Sequence, residues 1–76
     1  MLTLDTASTE KSVQIKSLRA LNPEYRQRLQ AMGLIPNAKV EILRHAPLGD
    51  PMQIKVNNTS LSLRRREAAA IEIWEQ

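Results

Sequence analysis

Apolar side chains recur at every second position in five short stretches of this chain, and at every third or fourth position in only one. Val13 and Ile15 alternate with Gln14 and Lys16, and Val40 and Ile42 with Lys39 and Glu41 in a run reaching Arg44. Met52, Ile54 and Val56 alternate with Gln53 and Lys55, Leu61 and Leu63 point inward within 60–63, and Ile71 and Ile73 oppose Ala70, Glu72 and Trp74. Alternation turns one side of a strand to the core and the other to water, so each run predicts a half-buried strand. The helical exception is Tyr25, Leu29 and Met32, at i, i+4 and i+7. It predicts a surface helix from Pro23 to Met32, about 15 Å long, with Arg26 and Gln30 off the apolar stripe.

The punctuation between these runs is explicit. Asn22-Pro23-Glu24 supplies a capping side chain, a proline at the first helical position and a carboxylate in the first turn, all favourable at a helix N-terminus. Gly33 is suited to the left-handed residue just beyond a helix, and Pro36 prevents the helix from resuming. Asn37 follows where a left-handed residue closes the corner, and Asn57-Asn58 offers the two positive φ values of a tight hairpin. His45 to Asp50 reads as a loop closed by Pro51, and Arg64 to Ala69 as one helical turn too short to stand alone. Leu2 and Leu4 lie at strand spacing, which suggests a short opening strand or arm before a turn through Thr6 to Lys11. The expected fold is therefore mainly β: a small SH3-like barrel of about five strands, with a short helix inserted after the first strand and a helical turn before the last.

Composition narrows the function. The 76 residues (8.6 kDa) are expected to form one domain over 1–76 with a thin core. There is no cysteine, which removes disulfides and thiolate chemistry. No apolar run approaches a membrane span, and Met1 to Asp5 lacks the basic and apolar regions of a signal peptide, so a cytoplasmic protein is expected. The net charge of +3 rests largely on Arg64-Arg65-Arg66, a run suited to phosphate, lipid headgroups or an acidic partner, although a solvated face is the simpler reading.

On Arg28-Leu29, Met32-Gly33-Leu34, Pro36, Val40, Ala46-Pro47-Leu48-Gly49-Asp50-Pro51, Leu63-Arg64, Glu67-Ala68 and Ile71, the chain resembles the FeoA family, the small cytoplasmic ferrous iron transport protein A of bacteria. The resemblance runs from about Ser12 to Trp74. It implies an SH3-like barrel working beside the large membrane transporter FeoB, whose cytosolic part carries a GTPase domain. Asn37 and Asn57-Asn58 stand where the family usually or often has glycine, and Asn tolerates the same backbone conformations. Similar modules form the C-terminal domains of metal-dependent repressors.

The side chains point to binding rather than catalysis. Asp50 and Glu67 are the only carboxylates that suggest a pair; Asp50 is better read as an acceptor in a Gly-Asp-Pro turn and Glu67 as opening a helical turn. No enzyme activity and no cofactor are expected. The lone histidine, His45, beside Arg44, makes a poor iron site and reads as a solvated loop residue; no metal ligands are assigned. Trp74 is expected to pack under the N-terminal arm near Leu2 and Leu4. Leu48, at a loop tip between Pro47 and Gly49, is instead placed to bind a partner. The expected docking surface for the cytosolic or membrane-proximal part of FeoB joins Arg26, Gln30, Leu34, Pro47, Leu48 and Arg64. A nucleic-acid-binding barrel using Lys55 and Arg64 to Arg66 is the alternative, disfavoured because only Tyr25 and Trp74 could stack on bases. A metal-sensing relative of the repressor domains is handicapped by the single histidine. Exposed strand edges leave weak self-association open.

Overall fold

A computed structural model describes residues 2–74. Its strands are β1 (Ser12–Ser17), β2 (Lys39–His45), β3 (Met52–Val56), β4 (Thr59–Leu63) and β5 (Glu72–Ile73). They form one antiparallel sheet in the order β4-β3-β2-β1-β5. This is the SH3-like arrangement the alternation predicts, but the sheet is not closed: β4 and β5 are its two edges. Helix α1 (Pro23–Ala31) lies between β1 and β2, and helix α2 (Arg65–Ala68) between β4 and β5. One face of the sheet carries the core, with Ile15, Val40, Ile42, Ile54, Met52 and Leu63 all sealed from solvent.

The turns follow from the residues that make them. The Asn22 side chain accepts hydrogen bonds from the backbone N–H of Glu24 and Tyr25 and so caps α1. At the other end Gly33 has φ 101°, and Asn37 reaches φ 71° at the corner before β2. Asn57 and Asn58, at φ 50° and 62°, make the two-residue turn between β3 and β4. The Asn57 side chain lies over Gly33, so a Cβ at position 33 would collide with it. The absence of a side chain there lets the hairpin sit against the end of α1.

Four local expectations need correction. Leu34 is not an exposed corner residue: the chain turns inward after Gly33, the Leu34 N–H bonds back to the Leu29 carbonyl, and the side chain is completely buried. Its neighbour Ile35 is the exposed apolar residue of the corner, at 47%. Met32 caps α1 and is partly exposed, so of the apolar stripe only Leu29 is fully buried. Leu4 belongs to the core but sits in a 3-10 turn (Leu4–Thr6) and not in a strand; the arm joins the sheet through a single bridge from Thr3 to Glu72. Trp74 is 44% exposed and stays outside the core. Its ring lies under the Lys16 ammonium, 5.0 Å from the centroid, and its Nε1–H donates to the Asn37 side chain at 3.3 Å.

Gly33→Ala is expected to cost about 1–3 kcal/mol, from left-handed strain and the contact with Asn57. Leu34→Ala should cost about 2–5 kcal/mol as a core truncation. Urea unfolding checks both, and a neutral Leu34→Ala would contradict the buried placement.

Candidate functional site

The loop 46–51 holds a large apolar side chain almost wholly in water. Leu48 is 99% exposed and adopts φ 69°, a conformation that costs a branched residue energy. Gly49 follows at φ 82°, and the Asp50–Pro51 peptide is cis. Two backbone bonds close the loop, Gly49 N–H to the Ala46 carbonyl at 2.7 Å and Ala46 N–H to the Pro51 carbonyl at 2.9 Å. A third tie comes from outside. Asp50 does not close a local turn as its Gly-Asp-Pro setting suggests; its Oδ1 accepts from the backbone N–H of Arg65 at 3.0 Å, at the start of α2. Leu48 is thus an apolar knob on a fixed mount. Its exposure was legible between Pro47 and Gly49; its left-handed backbone had no signal, because leucine rarely adopts that conformation.

The mount is joined to the rest of the surface through Glu67. The same carboxylate oxygen accepts the Arg64 backbone N–H and the Tyr25 hydroxyl, each at 3.0 Å. One bond caps α2 and the other ties α2 to α1, 42 residues away in sequence. Burial, then the hydrogen bond to Glu67 and its charge, push the Tyr25 hydroxyl up from 10 to about 12. The pairing holds α1, α2 and, through Asp50, the Leu48 loop in one frame.

The expected docking residues divide accordingly. Pro47, Leu48 and Arg64 are exposed along the loop and the start of α2, with Arg65 and Arg66 beside them. Arg26 and Gln30 are half-buried and not on an open helix face. They line a groove of about 250 Å³ with Lys16, Leu18, Arg19 and Pro36, where Arg26 reaches the Arg19 carbonyl at 3.4 Å. Leu34, being core, drops out.

His45 is not a solvated loop residue. It ends β2, is half-buried, and its Nε2–H donates to the Ala7 carbonyl at 2.9 Å, pinning the N-terminal arm. That nitrogen is therefore turned away from any cation. Among the described residues, no three of His, Asp and Glu converge where a metal ion could sit. Both aromatic rings are engaged within the chain, Tyr25 with Glu67 and Trp74 with Lys16 and Asn37. No helix among the described residues is long and apolar enough to cross a membrane.

Tyr25 is the only tyrosine, so an ultraviolet titration reads it alone. A midpoint near 12 is expected, against about 10 in an unfolded chain. Because the folded value is raised, the stability this hydroxyl contributes is complete below about pH 10 and is lost as pH climbs toward 12. Glu67→Ala should move the midpoint down toward 10 and cost about 1–2 kcal/mol from the lost cap and tie. A midpoint at 10 in the intact protein would contradict the Tyr25–Glu67 bond.

Comparison with known proteins agrees with this architecture. The solution structure of FeoA from Chlorobium tepidum superposes with a TM-score of 0.89 at 36% identity, over 95% of this chain and 68% of that one. FeoA from Stenotrophomonas maltophilia, solved with zinc and described as a prokaryotic SH3 domain protein, shares the fold at a TM-score of 0.82 and 24% identity, over 96% of this chain and 89% of that one. A Porphyromonas gingivalis protein described as a fusion of Fe(2+) transport protein A with the Fe(2+) transporter FeoB is 35% identical over 49 residues, 64% of this chain. The matched segment spans only 6% of that fused relative. A family model for the FeoA domain matches residues 2–74, and with it the chain belongs to the FeoA family, which is associated with ferrous iron transport.

Proposed function

We propose that this chain is a non-enzymatic accessory protein of bacterial ferrous iron uptake, a single FeoA-like domain over residues 1–76. It works in the cytoplasm, docks on the cytosolic part of a FeoB-type transporter and modulates Fe(II) transport. The observation that carries the docking reading is Leu48: a fully exposed leucine held in an unfavourable backbone conformation by three hydrogen bonds. A water-facing apolar side chain of this kind has no role in the core, and strain retained by its surroundings is a common mark of a functional loop. The fused relative supports the choice of partner, since it carries the two proteins in one chain.

The docking surface in this reading is Pro47 and Leu48, flanked by Arg64, with the half-buried Arg26 and Gln30 contributing from the groove beside α1. The apolar knob supplies the anchor, and the arginines supply charge that steers an acidic partner surface and fixes register. The iron ion is cargo of the transporter and needs no ligand set here.

Leu48→Asp is expected to leave the unfolding midpoint unchanged, or to raise it slightly, while weakening binding to the transporter's purified cytosolic domain by about tenfold or more. Arg26→Glu should weaken it less, by slowing association. Calorimetry of the Leu48→Asp protein decides the matter, and unchanged affinity would remove the loop from the interface. The isolated chain is expected to give no stoichiometric Fe(II) isotherm in the sub-micromolar range; such an isotherm would show a metal site.

A further inference from the structure

The sheet ends on one side in β4, and β4 lacks the features that keep an edge strand from pairing. Its sequence, Thr59-Ser60-Leu61-Ser62-Leu63, contains no charge, no proline and no glycine. Its register against β3 is unbroken from Val56↔Thr59 to Met52↔Leu63, whereas irregularities interrupt β1–β5 and β2–β3. The opposite edge is protected: β5 has two residues, and the arm covers it through the Thr3–Glu72 bridge and the Leu2 carbonyl. Charged side chains, prolines and bulges are the usual means of blunting an edge, and β4 has none of them.

The hairpin fixes which groups are open. Val56 and Thr59 flank a two-residue turn and so form its closing hydrogen-bonded pair. By alternation the backbone groups of Leu61 and Leu63 also turn toward β3, and those of Ser60 and Ser62 turn outward. Among the described residues, no backbone bond from outside the hairpin reaches Ser60 or Ser62, and both are exposed.

We propose that this edge pairs antiparallel with β4 of a second copy of the chain, with Leu61 on the twofold axis. In that register Ser60 lies opposite Ser62 of the other copy, and each such pair exchanges two hydrogen bonds. Leu61 meets Leu61 at the close, non-hydrogen-bonded position. Ile42, Ile54 and Leu61 are successive neighbours across β2, β3 and β4 on the core face, so the apolar row runs on unbroken into Leu61, Ile54 and Ile42 of the second copy. Arg64 falls opposite Asn58, not opposite another arginine, so no like charges meet. The self-complementary register and the absence of charge favour a second copy over a charged foreign segment. One strand pair buries less area than a stable dimer needs, so the dimer forms only at high concentration. The edge adjoins the Leu48 surface only at Arg64, and its hydrogen-bonding groups at Ser60 and Ser62 lie outside that surface, so the pairing is tested independently of docking on a transporter.

The chain has no cysteine, so a single introduced one reports the contact. Leu61→Cys is expected to form a disulfide-linked dimer under mild oxidation about tenfold or more faster than Lys55→Cys, because cross-strand positions on the axis lie within bridging distance. Sedimentation of the unmodified protein from about 10 µM to about 1 mM should show the mass rising from 8.6 kDa toward twice that value. Ser60→Pro removes an outward N–H that the monomer does not use; it should keep the circular dichroism spectrum and abolish the rise. A constant mass with equal cross-linking rates overturns the proposal. So does a dimer that survives Ser60→Pro, which would place the contact elsewhere.

Discussion

One carboxylate holds the helical side of this molecule together. Glu67 accepts the Arg64 N–H and the Tyr25 hydroxyl through the same oxygen, joining the start of α2 to α1. A helix of four residues has no stability of its own; it exists because its N-terminus is satisfied by Glu67 and, at Arg65, by Asp50. Through these bonds two helices and the Leu48 loop become one framework, although neither helix belongs to the sheet. A domain with so thin a core cannot fix three surface elements by apolar burial alone, and polar ties between backbone and carboxylate replace the missing contacts.

The sheet was largely legible in the chain, and the reason is physical. Half-buried strands must alternate, and positions such as Val13, Ile15, Val40, Ile42, Ile54 and Val56 do so without interruption; all six are buried. The corners are legible because left-handed backbone favours glycine and asparagine, and Gly33, Asn37, Asn57 and Asn58 take those conformations. The burial of Leu34 is not legible because the sequence marks where the helix stops but not which way the chain then turns, and the bond back to the Leu29 carbonyl turns it inward. Trp74 lines a groove with Leu2, as its position after Ile73 suggests, but its ring stays half-exposed because it is held by a cation and an asparagine outside the core, pairings that leave no mark in the alternation.

The candidate site was legible only in part. Leu48 stood out between Pro47 and Gly49, but the bonds that fix its loop come from residues far along the chain. Asp50 satisfies α2 instead of its own turn, and His45 reaches 38 residues back to the arm. Pairings of this kind carry no periodic signal and emerge only when the fold brings their elements together. The arginines read in sequence as one undivided run; in the structure Arg64 and Arg65 give their backbone N–H groups to carboxylates while their charged ends remain available at the edge of the loop.

In the proposed function the Leu48 loop and the adjoining start of α2 form the face turned toward a transporter. An amide-shift map of isotope-labelled protein, recorded during titration with the transporter's cytosolic domain, tests it most directly. Changes are expected to concentrate at residues 46–51 and 64–66, with a smaller set around Arg26 and Gln30, and to leave the β3–β4 hairpin unmoved. Changes centred on the outer face of the sheet at Lys39, Glu41 and Lys55, with the loop silent, would contradict it.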